Sequence, residues 1–274
     1  MIKDITIGQY YPVNSILHRL DPRVKIVCTL LFLISLFVQN SVTGYLIATI
    51  FLVFTICLSK VPIKFIMKGL KPIIILLLFT SILNLFLTEG GNVLVHFWIF
   101  TITEKGLRTA IFMAIRLIYL VAGSSLMTFT TTPNTLTDGI ETLLFPLNRF
   151  KVPVHEIAMM MSIALRFIPI LLEETDKIMK AQIARGADLE SGNLIQRAKN
   201  MVPILVPLFV SAFRRANDLA MAMEARCYRG GDGRTKMKPL VYQTRDSIAY
   251  LFTLLYFLCM FVLGRYLPLH LWIF

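Results

Sequence analysis

Residues 154–186 read VHEIAMMMSIALRFIPILLEETDKIMKAQIARG, and the two halves of this stretch differ in character. From His155 to Ile170 it is rich in Met, Leu and Ile, with Met159, Met160 and Met161 in a row; from Glu173 to Arg185 it is charged. No glycine interrupts it before Gly186, which is well placed to cap a helix over 154–184. Pro169 inside the pattern kinks such a helix rather than ending it. Residues 194–227 repeat the contrast: LIQRAKNMVPILVPLFVSAFRRANDLAMAMEARC is apolar from Met201 to Phe213, includes Pro203 and Pro207, and turns polar on one side towards Arg226. The sequence therefore predicts two long helices, 154–184 and 194–226, joined at Ser191-Gly192-Asn193. Each closes on an arginine between small residues: Ala184-Arg185-Gly186 and Ala225-Arg226-Cys227. Cysteine at 227 makes a left-handed cap costlier than glycine would, so the second helix is expected to run on towards Gly230.

The segment holding both runs lies between membrane spans. The chain has 274 residues, is 56% hydrophobic and has a mean hydropathy of +0.70, far above a soluble domain of this size. Spans are expected at 24–38, 42–58, 72–87, 107–129 and 248–267, each near the roughly 20 apolar residues that cross a bilayer. Lys60, Lys64, Lys68 and Lys71 mark the link after the second span as cytoplasmic, and His18, Arg19, Arg23 and Lys25 place the amino terminus on the same side. Counting through five spans puts the carboxyl terminus outside, together with the loop holding Trp98. The expected architecture is an all-α integral membrane protein. Residues 1–130 form the first four spans, 131–245 a cytoplasmic insertion of three helices, and 246–274 the last span. The two long helices are expected to lie at the membrane surface.

The net charge of +12 follows from basic residues beside spans, where anionic lipid and the positive-inside rule account for them; with no aromatic-basic interleaving, no nucleic-acid partner is expected. Cys28, Cys57, Cys227 and Cys259 lie far apart, and His18, His96, His155 and His270 sit at no metal-ligand spacing, so neither metal nor cofactor is expected. No Gly-x-x-x-x-Gly-Lys-Ser/Thr run occurs, so ATP-driven work has to come from partners. Leu20-Asp21-Pro22-Arg23 reads as a helix start, with aspartate as cap and proline in the first turn. Arg116 falls inside the fourth span, where a cation costs at least about 2.5 kcal/mol unless paired; a structural clamp is favoured over a polar solute track, since no acidic residue sits in a span.

A cation at a helix carboxyl end is favoured by the unpaired carbonyls there, and that alone explains one Arg185 or one Arg226. Two of them between small residues suit a further role. Small neighbours let a partner's backbone approach, and guanidinium presents a planar fork to carboxylates or carbonyls.

The residues around these runs resemble a known family. Gly8-Gln9-Tyr10 and His18-Arg19-Leu20-Asp21-Pro22-Arg23-Val24-Lys25 look like the amino-terminal signature of the transmembrane (T) component of energy-coupling factor transporters. Thr131-Thr132-Pro133, residues 152–157 (VPVHEI), 165–169 (LRFIP) and 181–186 (AQIARG) are similar to that family's coupling region. The resemblance implies a non-catalytic coupling subunit of an ABC importer for a vitamin or micronutrient. Its partners would be two cytoplasmic ATPases, a substrate-binding membrane subunit and the lipid bilayer. It assigns ATPase docking to Arg185 and Arg226 with their neighbours Ala184, Gly186, Ala225 and Cys227. The Met-rich faces, Met159, Met160, Met161, Met201, Leu205 and Phe209, are adaptable surfaces suited to gripping the substrate subunit. The competing class is an intramembrane enzyme acting on lipid, which would turn over substrate when purified alone.

Overall fold

The computed structural model describes residues 10–38, 41–88, 90, 93–97, 100–188, 193–231, 237 and 239–266. Among these residues the secondary structure is helical apart from one short hairpin. The elements are α1 (Pro22–Val38), α2 (Val42–Ser59), α3 (Ile63–Leu70), α4 (Ile74–Leu87), β1 (Val93–Phe97), β2 (Phe100–Thr103), α5 (Glu104–Thr130), α6 (Pro133–Leu144), α7 (Val154–Ala184), α8 (Leu194–Ala225) and α9 (Thr244–Tyr266). The antiparallel β1–β2 pair falls in the link that the sequence left irregular. A second difference lies at 63–70, where Lys64 and Lys68 ride on a helix rather than a loop. Pro72 then opens a 3-10 turn that leads into α4. Trp98, the 191–192 turn and the carboxyl-terminal residues 267–274 lie outside the described residues.

Five helical stretches are long and apolar enough to cross a membrane by length and composition: Val42–Ser59, Ile63–Leu87, Glu104–Thr130, Val154–Ala184 and Thr244–Val262. The number agrees with expectation, but the membership differs. Helix α1 has 17 residues, about 26 Å at 1.5 Å per residue, slightly less than the hydrocarbon core. Helix α7 qualifies because its apolar half is long, although Glu173, Glu174, Asp176, Lys177 and Lys180 crowd its other end.

The described residues divide into two compact units, one within Ile140–Pro239 and one within Gly8–Gly139 with Leu240–Phe274. In the second unit, α1 packs against α5 and α9, α2 against α9 and α5, and α4 runs along α5. Its core gathers Phe32 and Leu36 of α1, Tyr45, Ala48 and Leu52 of α2, Ala122 and Phe129 of α5, and Tyr256 and Met260 of α9. The Phe51 ring stacks on Tyr256 at 4.1 Å, and the Tyr256 hydroxyl meets Ser35 Oγ at 2.8 Å. A buried phenol thus has its polar end satisfied inside an apolar bundle. Helix starts follow ordinary capping chemistry: Ser41 Oγ accepts from the Gly44 N–H, and Thr103 Oγ1 from the Gly106 N–H.

In the first unit, α7 and α8 pack side by side. Glu174 pairs with Arg215, Gln182 Nε2 donates to the Pro203 carbonyl, and Asn200 Nδ2 donates to the Asp188 carbonyl. As the numbers rise along α7 they fall along α8, so the two helices are antiparallel.

Candidate functional site

Both helix ends carry the same cap. At the end of α7, the Gly186 N–H donates to the Ile183 carbonyl (2.9 Å) and the Ala187 N–H to the Gln182 carbonyl (3.0 Å). At the end of α8, the Cys227 N–H donates to the Glu224 carbonyl (2.8 Å) and the Tyr228 N–H to the Met223 carbonyl (3.0 Å). These are the paired bonds of a Schellman motif, which requires a left-handed residue just past the cap. Gly186 supplies it with φ +85° and Cys227 with φ +55°. Helix α8 therefore ends at Ala225 instead of running on towards Gly230, a correction to the sequence expectation. The reason is energetic: the motif satisfies two carbonyls, which outweighs the roughly 1 kcal/mol a Cβ costs in that conformation. Relieving that strain predicts that Cys227→Gly raises stability by about 0.5–1 kcal/mol, read as a higher thermal midpoint of the solubilised chain. Gly186→Ala is expected to move it the other way.

With matching caps, Arg185 and Arg226 occupy the same position, the last residue before the left-handed one. All six residues of the two runs are exposed. Among the described residues, neither guanidinium has an intramolecular partner. Because α7 and α8 are antiparallel, the two arginines sit at opposite ends of the pair. The groove between the helices places Ile163 near Met223, so the ends are separated by about 22 residues of α7, about 30 Å of helix.

The apolar candidates fall on these same helices. Met160, Met161, Met201, Leu205 and Phe209 are exposed, and Met159 is half-buried. On α8 the exposed residues Met201, Val202, Leu205, Val206, Phe209, Val210 and Phe213 recur every three or four positions, a continuous apolar stripe. Elsewhere, Arg116 on α5 donates from Nε to the Tyr45 hydroxyl at 3.0 Å and lies 5.5 Å from the Phe37 ring centroid. These contacts tie it to α2 and α1.

A buried charge cluster was invisible to pattern reading beyond its helix-start role. Asp21 does cap α1, its Oδ1 accepting from the Arg23 N–H, but it also binds the Arg23 guanidinium at two points, 3.0 and 2.8 Å. Arg23 reaches on to the Leu240 carbonyl and stacks 3.8 Å above the Tyr242 ring. Asp246, in the first turn of α9, accepts from the Asp21 and Gln243 N–H groups, while Lys25 Nζ donates to the Thr130 and His18 carbonyls. One turn of α1 thus holds both the end of α5 and the start of α9. Burial alone would push the Asp21 carboxyl up, but hydrogen bonds from Arg23 and the charges of Arg23 and Lys25 outweigh it and hold it below the usual carboxylate range. The one sequence signal was the crowding of opposite charges at 21–25 against an apolar run.

Residues 13–237 match the CbiQ family of cobalt transport proteins. The chain is 60% identical over 266 residues to the energy-coupling factor transporter transmembrane protein EcfT of Clostridium kluyveri, covering 97% of this chain and 98% of that protein. It is 50% identical over 263 residues to the protein of the same name from Bacillus subtilis, covering 94% and 99%. With that of Streptococcus equi it shares 46% identity over 259 residues, covering 94% and 96%.

Proposed function

Because the chain belongs to the family of transmembrane components of energy-coupling factor transporters, we propose that it transmits motion from two cytoplasmic ATPase subunits to a substrate-binding membrane subunit. It is a multi-pass membrane protein and one component of a transporter. In this reading it hydrolyses nothing itself. The single observation that carries the proposal is the pair of equivalent arginine caps at opposite ends of an antiparallel helix pair.

Each cap offers an exposed guanidinium at a helix end, between small residues that admit a partner's backbone. A separation of about 30 Å lets two partners bind without excluding one another. Residues Ala184, Arg185 and Gly186 dock one ATPase; Ala225, Arg226 and Cys227 dock the other. Movement of either ATPase then acts on one end of a stiff two-helix unit, which the Glu174–Arg215 pair at 2.6 Å helps to hold together. The exposed stripe of α8 and Met160 and Met161 of α7 form the face that grips the substrate subunit, with Met side chains adapting as it is released. Residues 131–245 act as the coupling domain between the spans of 1–130 and the last span. The amino terminus is cytoplasmic and the carboxyl terminus external, and the cargo is a vitamin or micronutrient. Arg116 clamps the bundle through Tyr45.

The test is co-purification of the tagged chain, co-expressed with its neighbouring genes, beside the Arg185→Glu, Arg226→Glu double variant. Reversing a buried interfacial charge costs about 2 kcal/mol or more per site, so the double variant should weaken ATPase association roughly a thousand-fold while still inserting in the membrane. An ATPase complex retained at wild-type yield would refute the docking assignment.

A further inference from the structure

Inside the unit of Gly8–Gly139 with Leu240–Phe274, a cavity of about 350 Å³ opens between α1, α2, α5 and α9. All four helices contribute the ends that meet at the charged side of the bundle. On α1 the lining runs from Val24 to Phe32, and on α9 from Arg245 to Thr253, about 12 Å of helix each, with Leu17 and Leu20 ahead of α1 extending it. That matches half the roughly 30 Å hydrocarbon core, the depth of one leaflet. The walls are apolar, and two threonines that line them turn their hydroxyls back to their own helices, Thr55 to the Phe51 carbonyl and Thr253 to the Ala249 carbonyl. A polar solute finds little to bind along the slot.

The mouth is different. Lys25 and Arg245 line it, and no carboxylate does. The acidic groups nearby are committed elsewhere: Asp21 to Arg23, and Asp246 to two backbone N–H groups. Lys25 is buried, with its hydrogen bonds spent on carbonyls and Asp21 and Asp246 as neighbouring charges, so the accessible cation is Arg245, which is exposed, its guanidinium bonded to the Gln243 side chain. An apolar slot of roughly one leaflet's depth, with an exposed arginine and no carboxylate in its lining, complements one class of molecule, a lipid with a negative headgroup. We propose that this cavity binds one acyl chain of an anionic phospholipid, its headgroup held at Arg245. The inference needs only the membrane location of the bundle and is independent of the coupling role.

Tryptophan fluorescence in vesicles tests it. With Trp98→Phe and Trp272→Phe as background, Phe252→Trp places a reporter in the cavity wall. Leu254→Trp places one on the exposed side of the same helix, where Leu254 is 61% exposed. Quenching is then titrated with brominated-chain phosphatidylglycerol or phosphatidylcholine. The expected result is half-quenching of the residue-252 reporter at a roughly 5-fold lower mole fraction of the anionic lipid, the contribution of one arginine. The residue-254 reporter should show no preference, and Arg245→Gln should reduce the preference at 252. Equal quenching by both lipids at 252 would mean ordinary annular lipid, and absence of quenching would mean that a protein segment fills the slot; either overturns the proposal. Should Phe252→Trp fail to fold, lipid extraction from the detergent-purified wild-type chain decides. Stoichiometric phosphatidylglycerol lost in Arg245→Gln supports the site, and its absence from the wild type refutes it.

Discussion

Asp21→Asn is expected to destabilise the solubilised chain by about 3–5 kcal/mol, the cost of leaving a buried charge without its partner. The Arg23 side chain is 10% exposed and that of Asp21 3%, so water cannot replace the lost carboxylate. The effect should exceed a single pair, because Arg23 also holds the Leu240 carbonyl and Asp21 receives Asp246 through its backbone N–H. Loosening Asp21 therefore loosens the start of α9. The same group fixes a pH dependence. Its pKa is depressed in the folded chain, so its stabilisation is complete above the unfolded carboxylate pKa and is lost as pH falls through the folded value. His18 adds a second window. Burial, helped by the charge of Lys25, lowers its pKa against the opposing hydrogen bond to the Tyr11 carbonyl. Its contribution is present above the ordinary histidine range and is lost on acidification below it. Thermal unfolding across pH should therefore show two acid-side losses. His18→Gln should remove the upper one and Asp21→Asn the lower; an unchanged acid limb in Asp21→Asn would refute the role given to this pair.

Gly123→Leu is the second large effect, expected to cost about 3 kcal/mol or more. A Cβ at Gly123 would lie 2.7 Å from Phe32 Cε1 and 2.9 Å from Cδ1. The ring is 3% exposed and flanked by Phe51 at 5.7 Å and Tyr256 at 6.1 Å between centroids, so it can retreat only into the cavity whose wall it shares with Gly123, at the expense of these ring contacts. Even Gly123→Ala should cost about 1–3 kcal/mol, while Gly123→Ala with Phe32→Leu should recover most of it. Without that rescue in thermal unfolding, the cost would lie in helix propensity or elsewhere rather than in the α1–α5 approach.

The sequence by itself determined the helices. Apolar runs of bilayer length and abrupt changes to charged residues located 42–59, 104–130, 154–184 and 244–266 within a few residues, because helix existence depends on local composition and periodicity. It also marked Arg185 and Arg226, since small residues around a terminal arginine are visible without any fold. What it misjudged locally was Cys227, where a Cβ penalty was weighed without the two carbonyls that the cap satisfies. The helix at 63–70 is masked in the sequence because four lysines dilute the apolar pattern of Ile63, Phe65, Ile66 and Met67 between them.

Only the tertiary structure decided which helices meet. That α7 and α8 run antiparallel, so that their arginines are far apart, depends on contacts such as Glu174 with Arg215, 41 residues away. That Asp21 answers to Asp246 across 225 residues, and that Gly123 faces Phe32, are long-range facts of the same kind. One sequence records the preferences of each segment for water or lipid. Which partner satisfies a buried charge is fixed only when the chain brings distant groups into one low-dielectric place, where leaving any of them unpaired is costly.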